Sequence, residues 1–299
     1  MTPKAGFVLV DKPSGWTSHD VVAKVRNLLA MKKVGHAGTL DPMATGLVVI
    51  GFGRATRLLR FVQAAPKEYI AKAVLGVATD SLDADGAILE RNKMTVTRAE
   101  METVMSRFVG TISQVPPMVS ARKVGGRRLY ELAREGIEVE REARDVDIYV
   151  LDLIDFAPLP YPEVTFRAVC GTGTYLRTLA DDMAIALGGR AHLSALRRVR
   201  NGSLHVNDAV GIEDLADMVA EGGEDDIVLS PRDGLPDLVE VIVGDDLAAG
   251  VSSGLAFPVA ALASERPDKG LLRVVDREGK LLAVYRVEKG KAMPEVVLA

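Results

Sequence analysis

The 299-residue chain is poor in cysteine, aromatic residues and long apolar runs. Its single cysteine, Cys170, excludes an internal disulfide and a metal site built from several cysteines, and it fits a reducing compartment. No run of about eighteen apolar residues is present, so the sequence predicts no transmembrane helix and no membrane partner. The first residues lack a signal-peptide pattern, and we therefore expect a cytoplasmic protein.

Metal-binding and dinucleotide-binding patterns are also missing. His19, His192 and His205 show no metal-ligand spacing with one another. The segment 81–92 has Ser81 and Asn92 where a calcium loop needs an acid and a glutamate. Gly171 and Gly173 lack the third glycine of a dinucleotide fingerprint. The sequence therefore predicts neither a metal ion nor a nucleotide cofactor.

Charge is unevenly distributed along the chain. The net charge is −4, but residues 1–75 carry eleven Lys or Arg and four Asp or Glu. Residues 201–249 carry thirteen acidic residues and one basic residue. A polyanion would meet the basic part while the acidic part faces away, so the net charge does not exclude a nucleic-acid partner.

Hydrophobic patterning predicts strands and helices without strict βαβ alternation, which favours an α+β fold with a mixed or antiparallel sheet. Ser18 is a plausible N-cap, and Thr97 with Glu100 forms a capping box. The predicted strands are 6–11, 47–50, 67–76, 145–156, 163–170 and a hairpin at 272–287. The predicted helices begin at Ser18 and cover 54–62, 97–108, 174–187 and 212–220.

A Gly- and Pro-containing stretch at 221–235 resembles a linker. We therefore expect a large domain over residues 1–235 and a small β-rich domain over residues 236–299.

The most informative motif is residues 35–46, with the sequence GHAGTLDPMATG. Its glycines allow a ligand to approach the backbone closely, and Pro42 favours an extended conformation at Asp41. Taken alone, an Asp-Pro pair is more often just a turn. The ordered string, however, resembles the catalytic loop of the TruB-type family of bacterial tRNA pseudouridine synthases.

Four further segments resemble the same family in the same order. They are residues 12–15 (KPSG), 67–69 (KEY), 173–179 (GTYLRTL) and 190–198 (RAHLSALRR). The resemblance covers roughly residues 6–210. It implies a pseudouridine synthase fold, with a mixed, largely antiparallel central sheet flanked by helices. It also implies that residues 236–299 form a small PUA-like RNA-binding domain.

The resemblance further implies an isomerase that converts uridine 55 of the tRNA T-loop to pseudouridine without a cofactor. Asp41 is the expected catalytic carboxylate, whether it attacks C1′, adds to C6 or deprotonates C2′. Arg177 is expected to pair with Asp41 through two hydrogen bonds and to lower the carboxyl pKa. Tyr69 is expected beside the base, where its ring stacks and its hydroxyl helps to remove the C5 proton.

Residues alone leave other interpretations open. Arg177 can pair with Asp181 or Asp182 on its own helix, and Tyr69 can be a core residue. A glycosidase or nucleoside hydrolase is a weaker alternative, because it normally needs two carboxylates. An RNA-binding or tRNA-folding helper with incidental or lost chemistry is the main alternative.

The residues expected to bind the substrate are Lys12, His36, Tyr175, Leu196, Arg127 and Arg128. The last two lie in a basic segment, 122–134, within an insertion at about 115–145 that the resemblance assigns to the T-arm. The expected partner is the T-arm of tRNA. We expect a monomer that needs no protein partner.

Overall fold

The structure, a computed structural model, describes residues 4–118, 123–124, 127–128, 135, 137, 139–262 and 269–298. The strands are β1 (Ala5–Lys12), β2 (Val34–His36), β3 (Thr45–Gly53), β4 (Lys67–Leu75), β5 (Val77–Thr79), β6 (Ile88–Arg91), β7 (Gly110–Gln114), β8 (Lys123–Val124), β9 (Arg127–Arg128), β10 (Arg144–Ala157), β11 (Glu163–Cys170), β12 (Ala191–Asn201), β13 (Leu204–His205), β14 (Val210–Gly211), β15 (Val228–Leu229), β16 (Val239–Ile242), β17 (Phe257–Pro258), β18 (Lys269–Val275), β19 (Leu281–Glu288) and β20 (Lys291–Val297).

The helices lie mostly between these strands. They are α1 (Ser18–Leu28), α2 (Leu59–Ala64), α3 (Arg98–Ser106), α4 (Leu176–Ala186), α5 (Ile212–Ala220), α6 (Glu224–Ile227), α7 (Asp245–Ser252) and α8 (Val259–Leu262), with 3₁₀ turns at Arg54–Leu58 and Val206–Asp208. None of the helices in the described ranges combines the length and apolar composition that crossing a bilayer requires.

The large sheet has the strand order β14-β1-β3-β12-β4-β11-β10-β7, with β2, β13 and β15 added at its sides. Most neighbours are antiparallel, but β1 with β14 and β3 with β12 are parallel. The prediction of a mixed, largely antiparallel central sheet is confirmed. The strands predicted at 145–156 and 163–170 are β10 and β11, which pair antiparallel.

Helices α1, α3, α4 and α5 cover one face of this sheet. Their buried residues recur at helical spacing, for example Val21, Val22 and Val25 in α1, and they join one apolar cluster with the sheet. The capping box predicted for Thr97 and Glu100 is present at the start of α3.

The N-cap of α1 differs from the prediction. Thr17 caps the helix together with Asp20, whereas Ser18 is the first helical residue. The buried Ser18 hydroxyl instead accepts a hydrogen bond from the Leu40 backbone N–H, at 2.8 Å. A side chain predicted to cap the start of a helix therefore holds the neighbouring loop instead.

The 221–235 segment is not a free linker. It contains α6 and β15, and β15 pairs antiparallel with β1, so that Phe7 lies opposite Leu229. The second sheet, with the order β16-β18-β19-β20-β17, follows it and contains the predicted hairpin as β18 and β19. The division at residue 235 into two domains stays a prediction.

Part of the predicted insertion is described. Strands β8 and β9 form a small antiparallel ribbon that carries Arg127 and Arg128. Residues 119–122, 125–126, 129–134, 136 and 138 of the insertion lie outside the described residues.

Candidate active site

A pocket of about 260 Å³ opens at one end of the large sheet, where β4 begins and β11 ends. Its lining includes Asp41, Tyr69, Tyr175, Arg177, Leu196 and Arg198. These residues come from four distant parts of the sequence; five of them are predicted site residues, and Arg198 belongs to a quoted motif. A larger groove, of about 960 Å³ beside Trp16 and α5, does not include Asp41.

The loop that carries Asp41 is held on both sides of the carboxylate. Lys12 Nζ donates to the carbonyl of Pro42 at 3.2 Å. Arg198 donates to the carbonyls of Gly38 and Leu47, at 3.1 and 2.7 Å. The close approach of Arg198 requires a glycine at position 46, because a Cβ there would lie 2.2 Å from the Arg198 carbonyl oxygen.

Arg177 is the direct partner of Asp41. Its Nε lies 2.9 Å from Asp41 Oδ2, while its Nη1 lies 3.3 Å from Asp83 Oδ2 and donates to the Ser81 carbonyl at 2.7 Å. The Arg177 side chain is only 2% exposed. A buried guanidinium needs such compensation, so its position is fixed by the two carboxylates and the carbonyl.

The alternative pairing of Arg177 within its own helix does not occur with Asp181. Asp181 receives two hydrogen bonds from Arg190 Nε, at 2.9 and 3.2 Å, and one from its Nη2 at 2.8 Å. Its Oδ1 also accepts the Ala191 backbone N–H. The predicted contact between Arg177 and Asp41 is the one that the fold forms.

Desolvation dominates the electrostatics of Asp41. One third of its side chain faces the pocket, and protein atoms surround the rest. Burial raises the pKa of the Asp41 carboxyl, Arg177 opposes the rise, and the nearby Asp83 adds to it. The expected lowering of this pKa is therefore wrong in its net direction, because the sequence argument counted the arginine but not the burial.

Tyr69 and Leu196 form part of the pocket wall. Tyr69 is 9% exposed and belongs to the core as well as to the pocket lining. Its predicted role beside the base stays a prediction. Burial raises the pKa of its hydroxyl, and Arg198 beside it opposes the rise. The hydroxyl therefore stays protonated at neutral pH.

Tyr175 begins the wall opposite Asp41. Its backbone N–H donates to Gln114 Oε1 at 2.8 Å, and its carbonyl accepts from Gln114 Nε2 at 3.1 Å. Gln114 is 2% exposed, so this amide pair fixes the pocket wall to the edge strand β7.

Among the described side chains expected at the substrate, Lys12, His36 and Arg127 lie outside the pocket lining. Lys12 is fully buried, and its ammonium donates to the carbonyls of Pro13, Trp16 and Pro42. Burial lowers the pKa of Lys12 to about 8. In this structure Lys12 supports the loop next to Asp41, because its donors are already used.

His36 precedes the same loop and packs edge-on against His19, with ring centroids 5.4 Å apart. Burial and the neighbouring His19 lower the pKa of His36, which favours the neutral imidazole. Arg127 lies on the β8–β9 ribbon, exposed and 2.5 Å from Glu135 Oε1 through its Nη2. The backbone of Arg128 is next to it in β9.

Asp83 was not predicted as a partner of Arg177. Asp83 lies in the segment rejected as a calcium loop, and no local pattern relates it to Arg177, 94 positions later. Arg198 was quoted within a motif without a role. Among the described residues, no group of three or more His, Cys, Asp or Glu side chains is arranged to hold a metal ion.

Two known protein-family patterns match this chain. The TruB family pseudouridylate synthase N-terminal domain matches residues 26–176. The chain belongs to the TruB family of pseudouridine synthases. Members are isomerases, so the chain is an enzyme of this class. A second pattern of the family, the tRNA pseudouridylate synthase B C-terminal domain, matches residues 177–236 and ends before β16.

Curated TruB relatives align along almost the whole chain. The tRNA pseudouridine synthase B of Moorella thermoacetica is 44% identical over 287 residues, covering 95% of this chain and 94% of the relative. The enzyme of the same name from Burkholderia pseudomallei is 42% identical over 294 residues, covering 97% and 95%.

Solved structures agree on the TruB-type fold. A chain of a Cbf5–Nop10–Gar1 complex superposes with a TM-score of 0.76 at 26% identity, covering 99% of this chain and 84% of that one. A chain of an H/ACA RNP bound to a substrate RNA containing 2′-deoxyuridine also has a TM-score of 0.76, at 24% identity, and covers 98% of this chain and 85% of that one. The pseudouridine synthase fold predicted from the sequence is confirmed.

Proposed function

We propose that this enzyme isomerises uridine 55 in the T-loop of tRNA to pseudouridine, with Asp41 as the catalytic carboxylate. One observation carries the proposal: within the described residues, Asp41 is the single carboxylate that lines a pocket otherwise built from aromatic, apolar, cationic and neutral polar residues. The names of the relatives, tRNA pseudouridine synthase B, support tRNA as the substrate.

The reaction breaks the bond between uracil N1 and ribose C1′, turns the base and forms a bond from C5 to C1′. The C5 hydrogen leaves as a proton and N1 gains one, so no electrons enter or leave. One carboxylate is enough for this chemistry, as nucleophile at C1′ or C6 or as base at C2′. A glycosidase needs a second carboxylate across the scissile bond, and the described lining does not supply one.

Each neighbour of Asp41 has a role in this proposal. Arg177 orients the carboxylate and stabilises its charge through the contact between Nε and Oδ2. Tyr69 offers its ring to the detached uracil. Because its pKa is raised, the Tyr69 hydroxyl serves better as a hydrogen-bond donor than as the base that removes the C5 proton.

The pocket is small compared with ordinary ligand sites of about 300–1,000 Å³. A volume of about 260 Å³ suits one nucleotide rather than a paired stem. The target uridine must therefore leave its stack in the loop, at a cost of a few kcal/mol that phosphate and base contacts offset. We infer that the basic β8–β9 ribbon supplies some of these contacts, with Arg127 and Arg128 meeting the RNA backbone.

We further propose that the enzyme acts on tRNA as a monomer and without a protein partner, and that the second sheet is a PUA-like unit that contacts the RNA. Purified protein alone should then modify a tRNA transcript. Light scattering during chromatography should give the mass of one chain, 32.0 kDa. A requirement for a second protein would contradict this part of the proposal.

The substrate position is tested by mapping pseudouridine in a tRNA transcript after incubation with the pure enzyme. We expect one modified position, uridine 55, and none in a matched transcript with cytidine there. Modification at another position would overturn the T-loop assignment while leaving the isomerase chemistry intact. RNA binding without any pseudouridine would favour the RNA-folding alternative.

A further inference from the structure

An exposed tyrosine lies beside the pocket wall and has no part in the chemistry above. Tyr149, on β10, is 53% exposed. Among the described residues, its ring pairs with no other aromatic ring. Large exposed aromatic side chains are a common means of holding unpaired bases, since every base has a face on which it can stack.

The Tyr149 side chain lies next to a residue of the pocket lining. The pairing of β10 with β11 shifts register between Ile148 and Val150, so Tyr149 is the extra residue of a β-bulge. Bulges often occur beside active sites, where they redirect a side chain. A Cβ placed on Gly171 would lie 3.5 Å from the Tyr149 hydroxyl oxygen, and Gly171 lines the pocket that holds Asp41.

The negative charge near Tyr149 favours binding of a base over binding of a phosphate group. Gly171 donates its backbone N–H to the Asp147 carbonyl at 2.8 Å, and the exposed Asp147 carboxylate accepts a hydrogen bond from Thr111 at 2.7 Å. A carboxylate so close to the tyrosine repels phosphate groups. The surface therefore suits the flat face of a base better than the RNA backbone.

We propose that Tyr149 forms a second nucleotide subsite at the rim of the pocket, on which an unpaired base next to the target uridine stacks. The subsite rests on the proposed function, because it positions the RNA whose uridine enters the Asp41 pocket. Tyr149 is a positioning residue: its ring holds the neighbouring nucleotide, and its hydroxyl is dispensable.

The test measures the affinity of the full-length enzyme for a T-arm stem-loop RNA, with or without turnover. Stacking of one base implies that Tyr149→Ala raises the dissociation constant about tenfold, whereas Tyr149→Phe stays within about twofold of wild type. Ile154→Ala is the matched control. Ile154 is 50% exposed and lies at the second register shift of the same strand, far along it from Gly171.

A second arm replaces each nucleotide flanking the target uridine, in turn, with an abasic residue. The loss caused by Tyr149→Ala should disappear on the RNA that lacks the stacking base and persist on the other. Unchanged binding by Tyr149→Ala would overturn the subsite. The same loss of affinity on every RNA would also overturn it, because it would show that Tyr149 only supports the fold. If wild type binds in a Tyr149-dependent way but makes no pseudouridine, the proposed function fails and the subsite stands.

Discussion

Arg177 illustrates how much depends on a single buried charge. A guanidinium that is 2% exposed keeps its place through Asp41, Asp83 and the Ser81 carbonyl. Removing either the charge or the planar shape leaves the other groups with unmet hydrogen bonds in a poorly solvated place. The same contacts that fix Arg177 therefore fix the direction of the Asp41 carboxylate.

Arg177→Lys should lower kcat at least about a hundredfold, while tRNA affinity stays within a few-fold. A lysine keeps the charge but loses the planar fork that reaches both carboxylates at once. The measurement is single-turnover pseudouridine formation with saturating enzyme. Arg190→Lys is the matched control, since Arg190 also binds an aspartate on α4 but lies outside the pocket lining. Near-wild-type turnover by Arg177→Lys would show that its role is only structural.

The rate should depend on pH in a way that reports the environment of Asp41. Because burial raises the pKa of this carboxyl, kcat/KM should fall as the pH falls through a value above the ordinary aspartate pKa of about 3.9. Asp83 contributes to the raised pKa of Asp41. The Asp83→Asn substitution should therefore shift the acid side of the kcat/KM profile to lower pH, independently of any change in the maximal rate. An acid limb at or below 3.9 in wild type would contradict the assignment.

At the scale of single elements, the sequence predicts helix bounds well where interactions between residues close in sequence determine them. The capping box fixed the start of α3, and helix α5 follows the predicted 212–220. The partners of the 35–46 loop were not predictable in this way. Arg198 reaches Gly38 across 160 positions, and Ser18 serves the loop rather than its own helix.

Substitution of Gly46 tests how far the 35–46 loop depends on its contact with the distant Arg198. Gly46 has φ +102°, and a Cβ there would lie 2.2 Å from the Arg198 carbonyl oxygen. Gly46→Ala should lower the free energy of unfolding by at least about 2 kcal/mol, through backbone strain plus the clash. Gly15→Ala is the control, because Gly15 has φ +81° and no atom within 4 Å. Its cost should be only about 1 kcal/mol. Equal shifts in urea unfolding would remove the clash from the explanation.

At the scale of the whole molecule, the two sheets are tied together. Arg54 and Arg57 donate through Nη1 to the carbonyls of Leu298 and Val297, at 2.8 and 2.6 Å, and Arg60 contacts Glu295. Apolar residues from both sheets, including Phe7 and Val284, share one buried cluster. The sequence predicted two β-containing units but not this contact, because strand order and docking depend on pairs far apart, such as β4 with β12.

Replacing Arg54 and Arg57 together with alanine should lower the free energy of unfolding by about 2 kcal/mol, roughly 1 kcal/mol for each charge-assisted hydrogen bond, one part-buried and one exposed. Arg91→Ala, on the exposed strand β6, should leave it unchanged. Thermal unfolding by calorimetry is the measurement. A double variant as stable as wild type would show that the apolar cluster alone joins the sheets.

The central claim is that Asp41 carries out isomerisation at uracil C5. The direct test is tritium release from tRNA labelled at uracil C5, with wild type compared with Asp41→Asn. We predict release by wild type and none by the variant, with tRNA affinity within a few-fold of wild type. Continued release by Asp41→Asn would remove Asp41 from the chemistry and contradict the account.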